Sequence, residues 1–312
     1  SSNQKMSKIG DPRLGDLLQV PYSGNKKAKV AILGYPCDIG VERNNGRVGS
    51  KNGPCCIRKK LEKMGTVINP EFNIDLNNIH FEDRGDIQIS DTLENNHEIL
   101  ASEVSSLLND GFIVIVVGGG NDQSYPNAKG LMSSMKSGNI GVVNIDAHLD
   151  VRPLINGSLA HSGSPFRQLL EDDMYIKDKG MFLEFASQGS QCSAEHVKYI
   201  QSKSGKIVWL SEIHKKGANE CFKNVLNDLQ GRPLFVSFDI DSIKGADCPG
   251  VSCPSVIGLS AQDALDICFL AGKNTYTKLL DLSEFNPNIE EDRTARLVVN
   301  MIYYFLLGIA ER

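Results

Sequence analysis

This chain has no surplus of positive charge, a single tryptophan, no run of apolar residues long enough to cross a membrane, and no Cys-x-x-Cys motif. Its 312 residues carry 33 Lys and Arg against 38 Asp and Glu, a formal net charge of −5. A nucleic-acid surface needs the opposite, a basic stripe that neutralises phosphates, so nucleic acid is not expected as a partner. The most apolar helical stretch, 295–310, contains Asn300 and falls short of the roughly 20 residues that span a bilayer, so no membrane span is expected. The opening residues, Ser1 to Met6, are polar and lack the apolar core of a signal peptide, which points to a cytoplasmic protein. The eight cysteines, at 37, 55, 56, 192, 221, 248, 253 and 268, form no Cys-x-x-Cys pair, and free thiols are expected rather than a structural disulfide framework. Neither G-x-G-x-x-G nor G-x-x-x-x-G-K-[ST] is present, so the glycine-rich string Gly118-Gly119-Gly120-Asn121-Asp122 is not read as a nucleotide loop.

What is present fits a soluble enzyme. With 41% hydrophobic and 23% charged residues the chain can bury a substantial core. No Pro/Ser-rich spacer, charge block or fixed-period repeat divides it. The expectation is one domain over 1–312, with 1–24 as a peripheral segment. Short apolar and β-branched runs at 29–33, 112–117, 140–145, 207–210, 234–238 and 278–282 have strand character, and 81–89 and 181–185 are further candidates. Helical patterns lie between them at 54–64, 93–109, 124–135, 165–172, 194–202, 219–229 and 261–271. Alternating strand and helix implies right-handed crossovers and a mostly parallel sheet covered on both faces, a three-layer α/β fold.

Two carboxylate-rich strings stand out: Asn144-Ile145-Asp146-Ala147-His148-Leu149-Asp150 and Ser237-Phe238-Asp239-Ile240-Asp241. Each follows a predicted buried strand, and ligands of open parallel sheets bind beyond the carboxyl ends of the strands. The two strings can therefore converge. Without counter-charge such a cluster would repel itself and take up protons, whereas divalent cations would hold it ionised. A metal site follows, with two solvated acidic loops as the alternative. The glycines at 118–120 let backbone pass close to such a centre.

Together, in this order, Gly-Gly-Asn at 119–121, Asp-Ala-His-x-Asp and Ser-Phe-Asp-x-Asp resemble the three metal-binding motifs of the ureohydrolases, the family of arginase, agmatinase and formimidoylglutamase. The likeness runs from Gly34 to about Arg296. Three further strings, at 40–49, 150–153 and 162–168, resemble the formimidoylglutamase branch. The resemblance implies an arginase-like αβα fold, two Mn2+ per subunit, and a trimer or hexamer. It makes Asp146 and Asp239 the carboxylates that bridge both metals, adds Asp150 to the first, and His148 and Asp241 to the second. Where the family has a histidine for the first metal this chain has Asn121, a neutral and weaker donor, so that site is expected to bind weakly. Asp122 next door is a candidate to compensate.

Two divalent ions would lower the pKa of a bridging water and supply hydroxide near neutral pH. The expected reaction is hydrolysis of N-formimidoyl-L-glutamate to L-glutamate and formamide. Glu284 matches the family glutamate that binds the formimino or guanidinium nitrogen, Asp241 can accept a hydrogen bond in the transition state, and His161 lies near the family's proton-shuttle position. Arg152, two residues past the last ligand of its motif, points into the crevice mouth and suits a substrate carboxylate. Arg43 and Arg47 either add positive potential or brace their loop. His80, His97, His196 and His214 are expected at the surface. Cys37 and Cys248, each on a loop after a strand, are a candidate redox pair. The alternatives are arginase or another guanidino hydrolase, and a non-catalytic relative in which Asn121 marks a decayed metal centre.

Overall fold

Strand β1 (Lys29–Tyr35) shows how this sequence builds a two-sided sheet. Its residues are buried almost throughout, and alternate ones serve opposite faces: Val30 and Ile32 join one apolar cluster, Ala31, Leu33 and Tyr35 the other. A strand covered on both sides reads as a continuous apolar run, which is why its position was legible. The computed structural model describes residues 10–312. In it β2 (Ile68–Asn69) and β3 (Ile74–Asp75) form a small antiparallel pair. The main sheet adds β4 (His80–Asp86), β5 (Phe112–Gly118), β6 (Gly141–Ile145), β7 (Met181–Ser187), β8 (Lys206–Trp209), β9 (Leu234–Asp239) and β10 (Thr277–Ser283). Its order is β4-β1-β5-β10-β9-β6-β7-β8, with parallel pairing throughout.

Helices cover both faces. Gly53–Leu61, Ala218–Asp228, Ala261–Lys273 and Asp292–Ala310 pack on one, Leu93–Asn109, Ser124–Met135 and Pro165–Leu170 on the other. The three-layer α/β expectation therefore holds. The ends of three helices, Leu93–Asn109, Ser124–Met135 and Ala194–Ser202, coincide with the expected ones. Short helices at Ile39–Arg43, Asp173–Lys177 and Leu210–Lys216 were not anticipated, because each is too brief to show a periodic pattern.

Of the segment 1–24, expected to be peripheral, residues 19–24 are exposed, while the turn before them is anchored. Leu14 and Leu17 of the turn Leu14–Leu17 are buried in the main core, and Leu14 closes against Gly65 beside Tyr303. Residues 1–9 lie outside the described part. Among the described residues no helix is long and apolar enough to cross a membrane.

The chain goes from β1 out to the edge strand β4, back inward to β5, across to β6 and outward through β7 to β8, then returns to insert β9 and β10 between β6 and β5. The carboxyl ends of β5, β10, β9 and β6 are thereby adjacent. Such a reversal of strand order opens a crevice above the sheet.

Candidate metal centre

Each of these four strand ends delivers part of the site. After β6 the chain turns through Asp146, whose Oδ1 accepts the backbone N–H of His148 at 2.8 Å. After β9 Asp239 does the same for Asp241 at 2.9 Å. An aspartate that bonds the amide two residues on makes its own turn, so both strings fold locally around their first carboxylate. Asp150 and Glu284 adopt left-handed backbone, φ 55° and 75°, unusual for residues with a side chain. In these conformations both carboxylates reach Asn121: Asp150 Oδ2 accepts from the Asn121 side-chain nitrogen at 2.6 Å, and Glu284 Oε1 from the Asn121 backbone N–H at 2.8 Å.

The donor atoms gather into two overlapping triads, Asp146, His148 and Asp241, and Asp146, Asp150 and Asp239, each with its ligand atoms within 4.8 Å of one another. Asp146 belongs to both. Burial, and then neighbours including Asp241, hold Asp146 and Asp239 well above the usual carboxylate range. Asp241 would also be raised by burial, but the charge and hydrogen bonds of His148 bring it below its ordinary value. His148 is the other half of that pair: burial pulls it down, yet Asp241 lifts it to about 12. Buried carboxylates this close need counter-charge, and oxygen and imidazole donors in two triads fit a pair of divalent ions sharing Asp146. The buried Oδ1 of Asp241 has no hydrogen-bond partner within the protein, which leaves it available as a ligand.

Above the cluster lies a cavity of about 430 Å³. His148, Asp150, Asp239, Asp241 and Glu284 form its acidic floor, and Arg47 and Arg152 its basic rim. Burial is the main influence on Glu284 and takes it up to about 8, opposed by the Asn121 backbone bond and reinforced by Asp241.

The family model for the arginase family matches residues 28–308. The chain belongs to the arginase family. Among this family's solved structures, Trypanosoma cruzi formiminoglutamase with Mn2+ superposes with a TM-score of 0.90 at 46% identity, over 97% of this chain and 99% of that one. Formimidoylglutamase from Aeromonas salmonicida is 30% identical over 91% of this chain and 88% of its own length. That from Staphylococcus epidermidis is 30% identical over 95% and 91%.

For an arginase-family site, most candidates from the sequence converge and a few do not. Asn121 is buried against Asp146 and Asp150, but its nitrogen faces them, at 3.2 and 2.6 Å, while its oxygen takes bonds from Ser124 and Ser283. Coordination through oxygen requires a half-turn of that amide. Asp122 does not compensate. Its Oδ2 is held by Tyr35 and His97, both at 2.8 Å, and it belongs to neither triad. His161 is also no free acid. It is buried, its Nδ1 accepts from the Gly163 N–H at 3.1 Å and its Nε2 donates to the Pro153 carbonyl at 3.0 Å, so both ring nitrogens brace the loop that carries Arg152.

Arg152 is exposed at the mouth, with one bond from Nη1 to Asn44 Oδ1 at 3.2 Å. Arg43 pairs with Glu94 at 2.7 Å and braces its loop, whereas Arg47 grips the carbonyls of Val251 and Ser252 and also lines the cavity. The surface expectation holds for His214, and in part for His196, which is half-exposed, but not for His80 or His97. His80 is buried against Glu82, His97 is tucked against Asp122, and His196 lines the cavity. All eight cysteines are free thiols. Cys37 and Cys248 are both buried and do not line the cavity, whose wall carries Cys192 and Cys253 instead. Burial pushes both the Cys37 and Cys248 thiols up, with Asp122 adding to the first and Asp241 to the second.

Sequence reasoning missed four residues of the cavity wall: Gln191 and Cys192 from the connection after β7, His196 from the helix Ala194–Ser202, and Asn44, which lies within the string 40–49 but was not singled out there. It also missed Asn144 and Glu184, buried beneath the cluster. These two had a signal: polar side chains inside runs otherwise fit for a buried strand.

Proposed function

We propose that this arginase-family protein hydrolyses N-formimidoyl-L-glutamate to L-glutamate and formamide, using two Mn2+ ions of unequal affinity. The observation that carries the reading is the polarity of the cavity, an acidic floor facing a guanidinium rim. The substrate has matching ends, a cationic amidine head and carboxylates. The relatives named formimidoylglutamase agree with it.

When bound, the metal pair offsets the floor carboxylates and activates water for attack on the formimino carbon. Asp146, Asp150 and Asp239 would hold one ion, and Asp146, His148 and Asp241 the other. Glu284, anchored by the Asn121 backbone, faces the amidine head. A cation opposite it favours the ionised carboxyl and orients the carbon above the floor. Asp241 accepts a hydrogen bond from the attacking water and is placed to pass its proton towards the departing glutamate nitrogen. Arg152 takes a substrate carboxylate and discriminates against substrates with a cationic tail.

The same reading treats the chain as a single catalytic unit acting in histidine breakdown in the cytoplasm. Its trimeric or hexameric assembly rests on the family resemblance and is measured by light scattering. The deciding experiment incubates Mn2+-loaded protein with formimidoylglutamate and, separately, with arginine. Formamide from the first with little or no urea from the second is expected. Urea at a comparable rate would move the protein to the guanidino hydrolases.

A further inference from the structure

Beneath the carboxylate cluster the β6–β7 ladder sets Asn144 directly opposite Glu184. Both side chains are fully buried. Asn144 precedes Asp146 by two residues, so it shares that face of the sheet one step deeper. Its side-chain nitrogen donates to Glu184 Oε2 at 2.9 Å and to Asp150 Oδ2 at 3.2 Å. An amide nitrogen has two hydrogens, and both are thereby used.

An asparagine amide is nearly symmetrical in shape, so its neighbours decide which end faces which way. With its oxygen towards Asp150 it would set acceptor against acceptor and push that carboxylate aside. Glu184 prevents this, because its oxygen accepts from nitrogen and offers nothing to an amide oxygen unless it is protonated. We propose that Glu184 is a positioning residue which, through Asn144, fixes the orientation of Asp150 and so sets the affinity of the ion that Asp150 would hold.

A packing role accounts poorly for Glu184. Its Oε1 has no hydrogen-bond partner within the protein. Burying a carboxyl with so little compensation costs stability that an apolar side chain in its place would not incur.

The inference rests on the two-ion reading of the site but not on the choice of substrate, so Mn2+ binding itself is the readout. Full-length protein is titrated with Mn2+, followed by calorimetry and by the electron paramagnetic resonance of free and spin-coupled manganese. Glu184→Gln retains the acceptor and is expected to bind Mn2+ within about twofold of the parent. Glu184→Leu removes it and should weaken the Asp150 ion by about tenfold or more, with loss of the coupled-pair signal, the range in which groups supporting metal ligands act. Asn144→Ala should match Glu184→Leu, and the double variant should be no weaker than either alone. Unchanged Mn2+ affinity in Glu184→Leu, or equal losses in the Gln and Leu variants, overturns the proposal. If Glu184→Leu does not fold, Asn144→Ala decides, and parental Mn2+ affinity in that variant overturns it as well.

Discussion

Arg152→Ala isolates the basic rim from the metal floor, because the side chain is exposed and has one hydrogen bond within the protein, to Asn44. Its removal leaves no buried group without a partner, so the melting temperature should be unchanged. A guanidinium paired with a substrate carboxylate is a charge-assisted contact of about 1.5–3 kcal/mol. That corresponds to roughly 10- to 150-fold in affinity. The loss should appear in KM, since the carboxylate lies away from the reacting carbon and is bound equally in ground and transition states. Arg152→Lys retains a point charge without the planar fork and should fall between parent and alanine variant. A rim charge is also screened by salt, so the parental KM should rise with ionic strength and that of Arg152→Ala should not. Formamide release measured over a range of substrate and salt concentrations tests all three. A KM within twofold of the parent would make Arg152 a surface residue held by Asn44, and the assignment of the substrate tail would fall with it.

Asn121→His replaces an amide that must turn before it can coordinate by an imidazole nitrogen, and Mn2+ retention after dialysis should rise by about tenfold or more. Equal metal content at limiting Mn2+ would refute this. Asp281, fully buried and bonded by Ser124 and Asn127, is raised by burial from 3.8 to about 6. A raised acid favours the folded state at low pH, and that contribution is lost as pH rises from about 4 through 6, so Asp281→Asn should remove this fall and be more stable above pH 6, by an amount on the order of 1–3 kcal/mol. Parallel stability curves for parent and variant would show that the carboxyl is not proton-linked to folding. For Cys37 and Cys248, whose thiols burial raises, air oxidation should yield a slowly formed crosslinked peptide by mass spectrometry and a Cys248→Ser protein whose activity ignores oxidant. Both thiols free in oxidised, inactive protein would remove the pair from consideration.

The fold was legible because inner strands of the parallel sheet such as β1, β5 and β9 are buried on both faces and therefore written as nearly continuous apolar runs, whereas the edge strands β4 and β8 are only partly buried. The carboxylate strings were legible because each builds its own turn at a strand end, a local event that needs no knowledge of the rest of the molecule. Side-chain direction was not legible in the same way. Asp122 follows Asn121 directly, yet one faces the cluster and the other Tyr35 and His97, since the short helical turn Asn121–Gln123 swings successive residues apart. His161 shows the other limit. Its place in the chain suggested an acid, but whether a loop histidine is free depends on backbone groups, here Gly163 and Pro153, whose approach only the folded structure reveals.

The two halves of the floor differ in a way that bears on how they would load. In the triad of Asp146, His148 and Asp241 the imidazole Nδ1 faces Asp241 Oδ2 at 3.3 Å, and an ion entering there takes the place of the proton between them. Around Asp150 the partners are the amides of Asn121 and Asn144, which both direct N–H groups at the same oxygen, Oδ2, at 2.6 and 3.2 Å. Neutral N–H donors stabilise that carboxylate without an ion, so part of what a cation gains there must first be given up in hydrogen bonds. The His148 side should therefore fill first as Mn2+ is added. Simultaneous filling in a titration of the parent protein, with Asn121 in place, would mean that the amides turn at negligible cost and that the inequality of the two sites lies elsewhere.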